Sequence, residues 1–242
     1  MALPKLDVPI YEVTLPISKQ VVRYRPFLVK EQKLLLMANE SEEVDVIEKT
    51  VKQILQNCSV DEGAIDVDSL SLIDIEFYFL HLRAKSVGEK VETKYKCEND
   101  VDGVECGNLM DVSLDLEKIT VDNLDGYDDL IKLSDSIGVK MTLPKYTAVS
   151  HVKQSETMTE SLFRMISECI EYIYDGEQMY YAKETSTEEL IEFLESLNEE
   201  QFSRIQNFFN MIPRIEKNIQ CICKKCGFVH VISLQGIESF FA

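Results

Sequence analysis

Apolar and polar positions at the start of the chain follow the pattern of a β-hairpin. They alternate over residues 10–15, a break follows at Pro16, and a second extended run covers 21–25. A leucine-rich run over 28–37 then predicts a helix, and Pro26 fits the junction because it disfavours helical conformation in the residue before it. We therefore expect an N-terminal hairpin that leads directly into a helix.

Apolar residues at helical spacing predict two more helices in the first third of the chain. One covers residues 44–58, and the other begins after Asp68 or Ser69 as the N-cap and runs through Arg83. The last of these helices is apolar on most of its sides, so we expect it at the centre of the core. His81 lies on it, and we interpret this residue as a core histidine and not as a ligand.

The later part of the chain predicts a hairpin followed by a helix-rich region. Alternation over 127–143 indicates the hairpin, and an apolar stripe at helical spacing then continues up to Gly176, a strong helix stop. Capping boxes at 186–189 and 198–201 predict the starts of two further helices.

Two cysteine turns, far apart in the sequence, share one pattern. Each turn joins two predicted strands and ends in Cys-Gly. Cys97 and Cys106 bound the first turn, and Cys223 and Cys226 bound the second. The flanking strands are predicted at 91–95, 109–114, 215–219 and 228–234.

This pattern is the half-unit of a zinc ribbon, and two halves supply four thiolates for one tetrahedral Zn²⁺. The second turn has the usual C-x2-C spacing, whereas the C-x8-C spacing of the first indicates a hydrophilic insertion. We predict that one structural Zn²⁺ binds Cys97, Cys106, Cys223 and Cys226. The alternative is that these cysteines are reduced, buried thiols without a metal. A disulfide is favoured less than either.

Other residues near the turns fit the same site. Gly107 and Gly227 allow backbone N–H groups to turn toward sulfur. Cys221 shares a strand face with Cys223 and could replace a ligand, although we interpret it as a packed cysteine. We interpret His230 as a strand residue, with metal ligation as the alternative. Four lysines would offset the negative charge of the thiolates: Lys94, Lys96, Lys224 and Lys225.

Together these elements predict an α+β fold with a helix-rich body, an N-terminal β-hairpin and a split zinc ribbon made of two β-hairpins. We expect residues 1–242 to form a single compact unit. The ribbon would be a discontinuous subdomain of 88–116 plus 214–236, and the helical parts would cover 28–86 and 147–212. Since structural zinc contributes on the order of 10 kcal/mol in small zinc domains, the metal would be a folding requirement.

Charge is distributed unevenly along the chain. The net charge is −18, but residues 1–36 hold six Lys or Arg against three acidic residues. A chain with almost no basic face beyond its start is a poor nucleic-acid binder, whereas an acidic body with a basic segment suits docking on proteins. The alternative explanation is that the surplus of acidic residues only keeps the protein soluble. Arg23, Arg25 and Lys30 are candidate partner contacts, with a solvated hairpin face as the alternative.

Signatures of enzymes, export and membrane insertion are missing from the sequence. It holds no glycine-rich phosphate loop, no G-x-S-x-G and no H-E-x-x-H, and four thiolates would fill the coordination sphere of a metal. The most apolar stretch, 70–82, contains charged residues and is too short to span a bilayer. Seven cysteines, an odd number, suit a reducing compartment. We expect a soluble intracellular protein that is not an enzyme.

Several segments, in order over nearly the full chain, resemble the baseplate hub protein or baseplate hub assembly chaperone family of T4-type contractile-tailed phages. The resemblance implies a structural or chaperone-like protein that binds other hub or tail proteins. It also implies action in the host cytoplasm during tail assembly, with the virion tail baseplate as a further location. The segments are 24–31, 82–89, 172–176, 192–202 and the closing Cys-x-x-Cys-Gly.

A second hypothesis from a different class is a zinc-ribbon adaptor in a nucleic-acid or transcription complex. The acidic charge of the chain disfavours it. Salt-dependent retention on DNA or RNA separates the two hypotheses, because only the adaptor predicts it.

Overall fold

Helices and strands occur in separate blocks along the chain and form a mixed α+β fold, as predicted. The computed structural model describes residues 6–41, 43–61, 65–124, 126–145 and 157–235. The helices in these ranges are α1 (Val29–Ser41), α2 (Val44–Cys58), α3 (Leu72–Val87), α4 (Met158–Glu168), α5 (Thr187–Glu195) and α6 (Glu199–Met211). The strands are β1 (Tyr11–Thr14), β2 (Val21–Tyr24), β3 (Lys90–Lys96), β4 (Asp100–Val101), β5 (Val104–Glu105), β6 (Leu109–Asp115), β7 (Val121–Asp122), β8 (Leu130–Lys132), β9 (Ile137–Met141), β10 (Ile170–Asp175), β11 (Gln178–Tyr181), β12 (Arg214–Ile222) and β13 (Val229–Gln235).

The predicted N-terminal hairpin is confirmed and is anchored on α3. Strands β1 and β2 pair antiparallel, with Tyr11 opposite Tyr24. The carboxylate of Asp74, a fully buried residue of α3, accepts hydrogen bonds from the backbone N–H groups of Ile17 and Ser18, at 2.8 and 2.9 Å. A buried charge paired in this way fixes the turn of the hairpin against the start of the helix.

Helix α3 lies at the centre of the core, as its apolar character predicts. One side packs with the N-terminal hairpin and α2. The other side packs against β3, β6 and β12 through residues such as Leu80 and Ala84. The predicted N-cap at Asp68 or Ser69 is wrong, because Ser71 caps the helix and accepts a hydrogen bond from the N–H of Asp74. The helix also continues to Val87.

Glu76 on α3 provides a test of this burial. Burial raises its pKa from 4.5 to about 7, so the native state holds the proton more tightly than the unfolded chain does. The native state therefore loses stability as the pH rises from 4.5 through about 7. We expect Glu76→Gln to raise the free energy of unfolding by about 1–3 kcal/mol at about pH 8 and by much less at about pH 5.5. Urea unfolding at both pH values measures this.

The matched control is Glu92→Gln, which changes an exposed glutamate of β3. It should show the same pH dependence as the unchanged chain. Equal stabilisation by Glu76→Gln at both pH values would show that burial of the carboxylate carries no penalty.

The second half of the body is built around a four-stranded antiparallel sheet, in the order β11-β10-β9-β8. The hairpin predicted over 127–143 is confirmed as β8 and β9. Helices α4, α5 and α6 pack on the sheet around a cluster that includes Ile166, Leu194 and Phe208. The capping boxes predicted at Ser186 and Asn198 are both present.

The helix predicted up to Gly176 is wrong in its last part. Helix α4 ends at Glu168, and the predicted helical part 147–212 also contains strands β10 and β11. The register between β10 and β9 shifts between Ile170 and Tyr172. Because of this bulge Ile170 and Ile173, three residues apart, are both buried, which imitates helical spacing. Residues 147–156 lie outside the described ranges.

The strands that flank the two cysteine turns form two hairpins, as predicted. Strands β3 and β6 pair from Lys90 opposite Asp115 to Lys96 opposite Leu109. Strands β12 and β13 pair over seven positions, and β7 adds to the other edge of β12. Both hairpins contribute apolar residues to the cluster on α3, so the helix supports each of them. Among the described residues, no helix combines the length and apolar character needed to cross a membrane.

Candidate metal centre

The structure brings the four predicted cysteines together from two distant parts of the chain. The sulfur of Cys97 lies 3.6 Å from that of Cys226, and the sulfur of Cys106 lies 3.8 Å from that of Cys223. All four sulfurs lie within 4.8 Å of one another. Three of the cysteines are buried, and Cys226 is half-buried.

These distances fit one tetrahedral ion. With a metal–sulfur distance of about 2.3 Å, a regular tetrahedron has sulfur–sulfur edges of about 3.8 Å. A disulfide needs its sulfurs about 2.05 Å apart, so neither of these pairs is a disulfide, and all four cysteines are free. The cluster can therefore hold a metal ion at its centre.

Both turns close with the same pair of backbone hydrogen bonds. In the first, the N–H of Cys97 donates to the carbonyl of Asn108, and the N–H of Gly107 donates back to the carbonyl of Cys97. In the second, Cys223 and Gly227 make the equivalent bonds, with Phe228 in the place of Asn108. Gly107 and Gly227 have φ angles of 64° and 76°, which an L side chain rarely adopts. The two turns are therefore one local structure used twice.

The long spacing of the first turn is explained by a small inserted hairpin. Strands β4 and β5 pair Asp100 with Glu105 and Val101 with Val104, and every one of these side chains is exposed. The N–H of Gly103 donates to the carboxylate of Asp100 at the tip. The insertion thus projects into solvent, and the first turn keeps the same closing backbone hydrogen bonds as the short turn.

The surroundings of Cys223 and Cys97 shift the pKa values of these two thiols in opposite directions. Hydrogen bonds from the backbone N–H groups of Cys226 and Lys225 lower the pKa of Cys223 to about 6, although burial opposes them. Burial raises the pKa of Cys97 to about 12. Cys223 therefore ionises more readily than Cys97, and a thiolate is the form that binds a metal.

The lysines expected around the turns play different roles. The ammonium group of Lys225 donates to the carbonyl of Cys106 at 2.7 Å, which links the second turn to the first. Lys96 pairs with Glu105 of the inserted hairpin at 2.6 Å, with both side chains at least half exposed. A pair that exposed contributes little to stability, so of these two lysines it is Lys225 that links the turns.

The sequence did not predict the side-chain amides that donate hydrogen bonds to the sulfurs. The amide of Asn108 donates to the sulfur of Cys223 at 3.5 Å, and the amide of Asn99 donates to that of Cys226 at 3.7 Å. Asn108 directly follows the Cys-Gly of the first turn, which is the one local signal that could have indicated it.

His230 is not a member of the four-sulfur group, although it touches it. The residue lies on β13 opposite Cys221, with Nε2 at 3.1 Å from the sulfur of Cys97. Cys221 is half-buried and packs against the cysteine cluster.

The three candidate partner contacts lie in different surroundings. Arg23 is half exposed and pairs with Asp61 at 3.1 Å, and Lys30 is 69% exposed. Arg25 is 18% exposed and pairs at 3.0 Å with Glu31, which is itself buried. The side chain of Arg25 therefore points into the junction between the hairpin and α1, whereas the other two reach solvent.

Fold and site define a class: an α+β protein in which two hairpins, distant in sequence, meet at a cluster of four cysteines that could bind a metal. The chain belongs to the T4 bacteriophage base plate protein family, whose profile matches residues 8–242. It is also 22% identical over 232 residues to the baseplate hub assembly protein gp26 of Enterobacteria phage T4, covering 96% of this chain and 97% of that protein. No solved structure matches the chain.

Proposed function

We propose that this chain is a structural or chaperone-like assembly protein of a phage tail baseplate hub. The observation that carries the proposal is the family match over residues 8–242. The relative named as a hub assembly protein is also aligned over 97% of its own length, so the likeness covers a whole protein. The partners would be other proteins of the hub or tail, and the site of action the host cytoplasm or the assembled baseplate.

The proposal includes a role without catalysis. Four thiolates fill a tetrahedral coordination sphere, whereas a catalytic zinc keeps one position open for water or substrate. The donor set of the cluster therefore supports a metal that holds the fold together.

We further propose that the metal is Zn²⁺. Thiolate ligands select soft or borderline ions, and Zn²⁺ accepts four of them in the tetrahedron that the sulfur distances fit. The bound ion would join 88–116 to 214–236 as one ribbon and make residues 1–242 a single unit. The two turns would then be fixed relative to each other by four metal–sulfur bonds.

Two exposed cations are our candidates for partner contact. Arg23 and Lys30 reach solvent, and α1, which carries Lys30, also exposes the apolar residues Val29 and Leu36, at 81% and 58%. Exposed cations on an otherwise acidic protein suit an acidic partner surface. Arg25, engaged with Glu31, would act by holding this region in place.

The test is an early stop codon in the gene for this chain, in the phage that encodes it. Infected cells should then accumulate heads and tail parts without complete baseplates, as seen by electron microscopy of lysates. Expression of the unchanged chain from a plasmid should restore tails, and the Arg23→Glu, Lys30→Glu double variant should restore fewer. Normal tails in the absence of the chain would refute the assembly role.

A further inference from the structure

We propose that His230 is a positioning residue for the metal centre: its Nε2–H donates a hydrogen bond to the Cys97 thiolate and holds that ligand in place. The inference rests on the metal proposed above. The distance between the two atoms is 3.1 Å, and Cys97 and His230 are separated by 133 positions in the sequence.

The distance places His230 in hydrogen-bond contact with Cys97 and not in the position of a ligand. A zinc ion with nitrogen at about 2.05 Å and sulfur at about 2.3 Å separates these ligand atoms by about 3.6 Å in a tetrahedron. The observed 3.1 Å is clearly shorter. His230 also lies outside the group of ligand atoms that are mutually within 4.8 Å, which comprises the four sulfurs.

Metal binding would decide the direction of this hydrogen bond. A thiolate bound to a metal carries no proton, so the hydrogen between the two atoms must belong to Nε2. The imidazole is held in this orientation by the rings of Tyr95 and Phe228, whose centroids lie 5.7 and 4.8 Å from its own. His230 is only 9% exposed, so water does not compete freely for the sulfur.

The donors around the cluster reach from one hairpin to the other. His230 of the second hairpin donates to Cys97 of the first. Asn99 and Asn108 of the first hairpin donate to Cys226 and Cys223 of the second. Each hairpin therefore stabilises negative charge on the sulfurs of its counterpart, which is the form of the sulfurs that binds a metal.

Among these donors His230 makes the shortest contact and is the most deeply buried, so its removal should have the largest effect. Outer hydrogen-bond partners of metal ligands typically change metal affinity about 10–100-fold when they are lost. We expect a change of that size in the rate at which the chain releases its metal.

The experiment compares the full chain with three variants, each loaded with Zn²⁺. His230→Phe keeps an aromatic ring but removes the donor, His230→Gln keeps an N–H near the position of Nε2, and His81→Phe changes a histidine on α3 that lies outside the site. A chelator withdraws the metal, and mass spectrometry follows the alkylation of each cysteine over time.

We expect His230→Phe to release zinc about 10–100-fold faster, with Cys97 as the first of the four ligand cysteines to be alkylated. His230→Gln should stay close to the unchanged chain, and so should His81→Phe. Equal release rates for His230→Phe and the unchanged chain would overturn the inference. So would an equal acceleration in His81→Phe, because it would indicate a general loss of packing.

Two measurements on the unchanged chain keep the inference testable even if His230→Phe does not fold. Nitrogen-15 NMR should show a protonated Nε2 on His230, and an unprotonated Nε2 would refute the hydrogen bond. The visible spectrum of the Co²⁺ form should be that of four thiolates, and a three-thiolate spectrum would make His230 a ligand. A chain that binds no metal at all would refute the proposed zinc together with this inference, whereas bound metal with no effect of His230 refutes the inference alone.

Discussion

Serine in place of Cys97 or Cys223 should remove the metal and the cooperative unfolding of the chain together. Each substitution deletes a thiolate from a different hairpin, and the three remaining thiolates leave one position of the tetrahedron to water and hold the metal more weakly. Structural zinc contributes on the order of 10 kcal/mol in small domains, which is comparable to the whole stability of a typical protein, about 5–15 kcal/mol. We therefore expect loss of the thermal transition, or its displacement to a far lower temperature, in both variants.

Elemental analysis of protein purified without added zinc, together with calorimetry, measures this. One zinc per chain is expected in the unchanged protein and none in either variant. Cys221→Ser is the matched control, because Cys221 packs against the cluster without belonging to it and should leave the zinc and the transition intact. Absence of metal from the unchanged chain, or its loss in only one of the two variants, would contradict a shared site.

The position of the cysteines gives this metal a large influence on the chain. Residues 107–222, between Cys106 and Cys223, contain the sheet of β8–β11 and helices α4–α6. A metal that joins the two turns closes this segment into a loop, which lowers the conformational entropy that the unfolded chain would otherwise have. The metal should therefore stabilise not only the ribbon but also the sheet and helices within residues 107–222.

The cysteine cluster was predictable because its information is local. A turn that brings two cysteines together needs glycine after the second one, and both turns carry that glycine with a positive φ angle. The spacing of eight residues in the first turn obscured the likeness, but the inserted β4–β5 hairpin leaves the closing hydrogen bonds unchanged. Each turn supplies two thiolates of a four-thiolate site, so finding two such turns predicts that they share one metal.

The donors around the cluster could not be predicted, because their partners are distant in sequence. Asn108 contacts a sulfur 115 positions away, and Asn99 contacts one 127 positions away. The prediction for the segment that forms β10 was wrong for a different reason. Its bulge places two isoleucines three positions apart on the buried face, and periodicity alone cannot separate that pattern from a helix.

Glu31→Ala should destabilise the N-terminal region of the body by about 3–5 kcal/mol, because it leaves Arg25 with a charge and no carboxylate. Glu31 is 1% exposed, and its carboxylate accepts hydrogen bonds from Arg25 at 3.0 Å and from the N–H of Leu28 at 2.8 Å. Arg25 in turn donates to the carbonyl of Asn57 at the end of α2. One ion pair therefore joins the hairpin, α1 and α2.

Urea unfolding of Glu31→Ala, Arg25→Ala and the double variant measures the coupling between the two side chains. We expect the double variant to lose less stability than the sum of the single variants, since removal of both partners leaves no buried charge without a partner. Lys30, which also pairs with Glu31 at 3.3 Å, is 69% exposed. Glu40→Ala, at an exposed position of the same helix, is the control and should change stability by less than about 0.5 kcal/mol. Additive losses would mean that Arg25 and Glu31 are not coupled and that their ion pair does not hold the junction together.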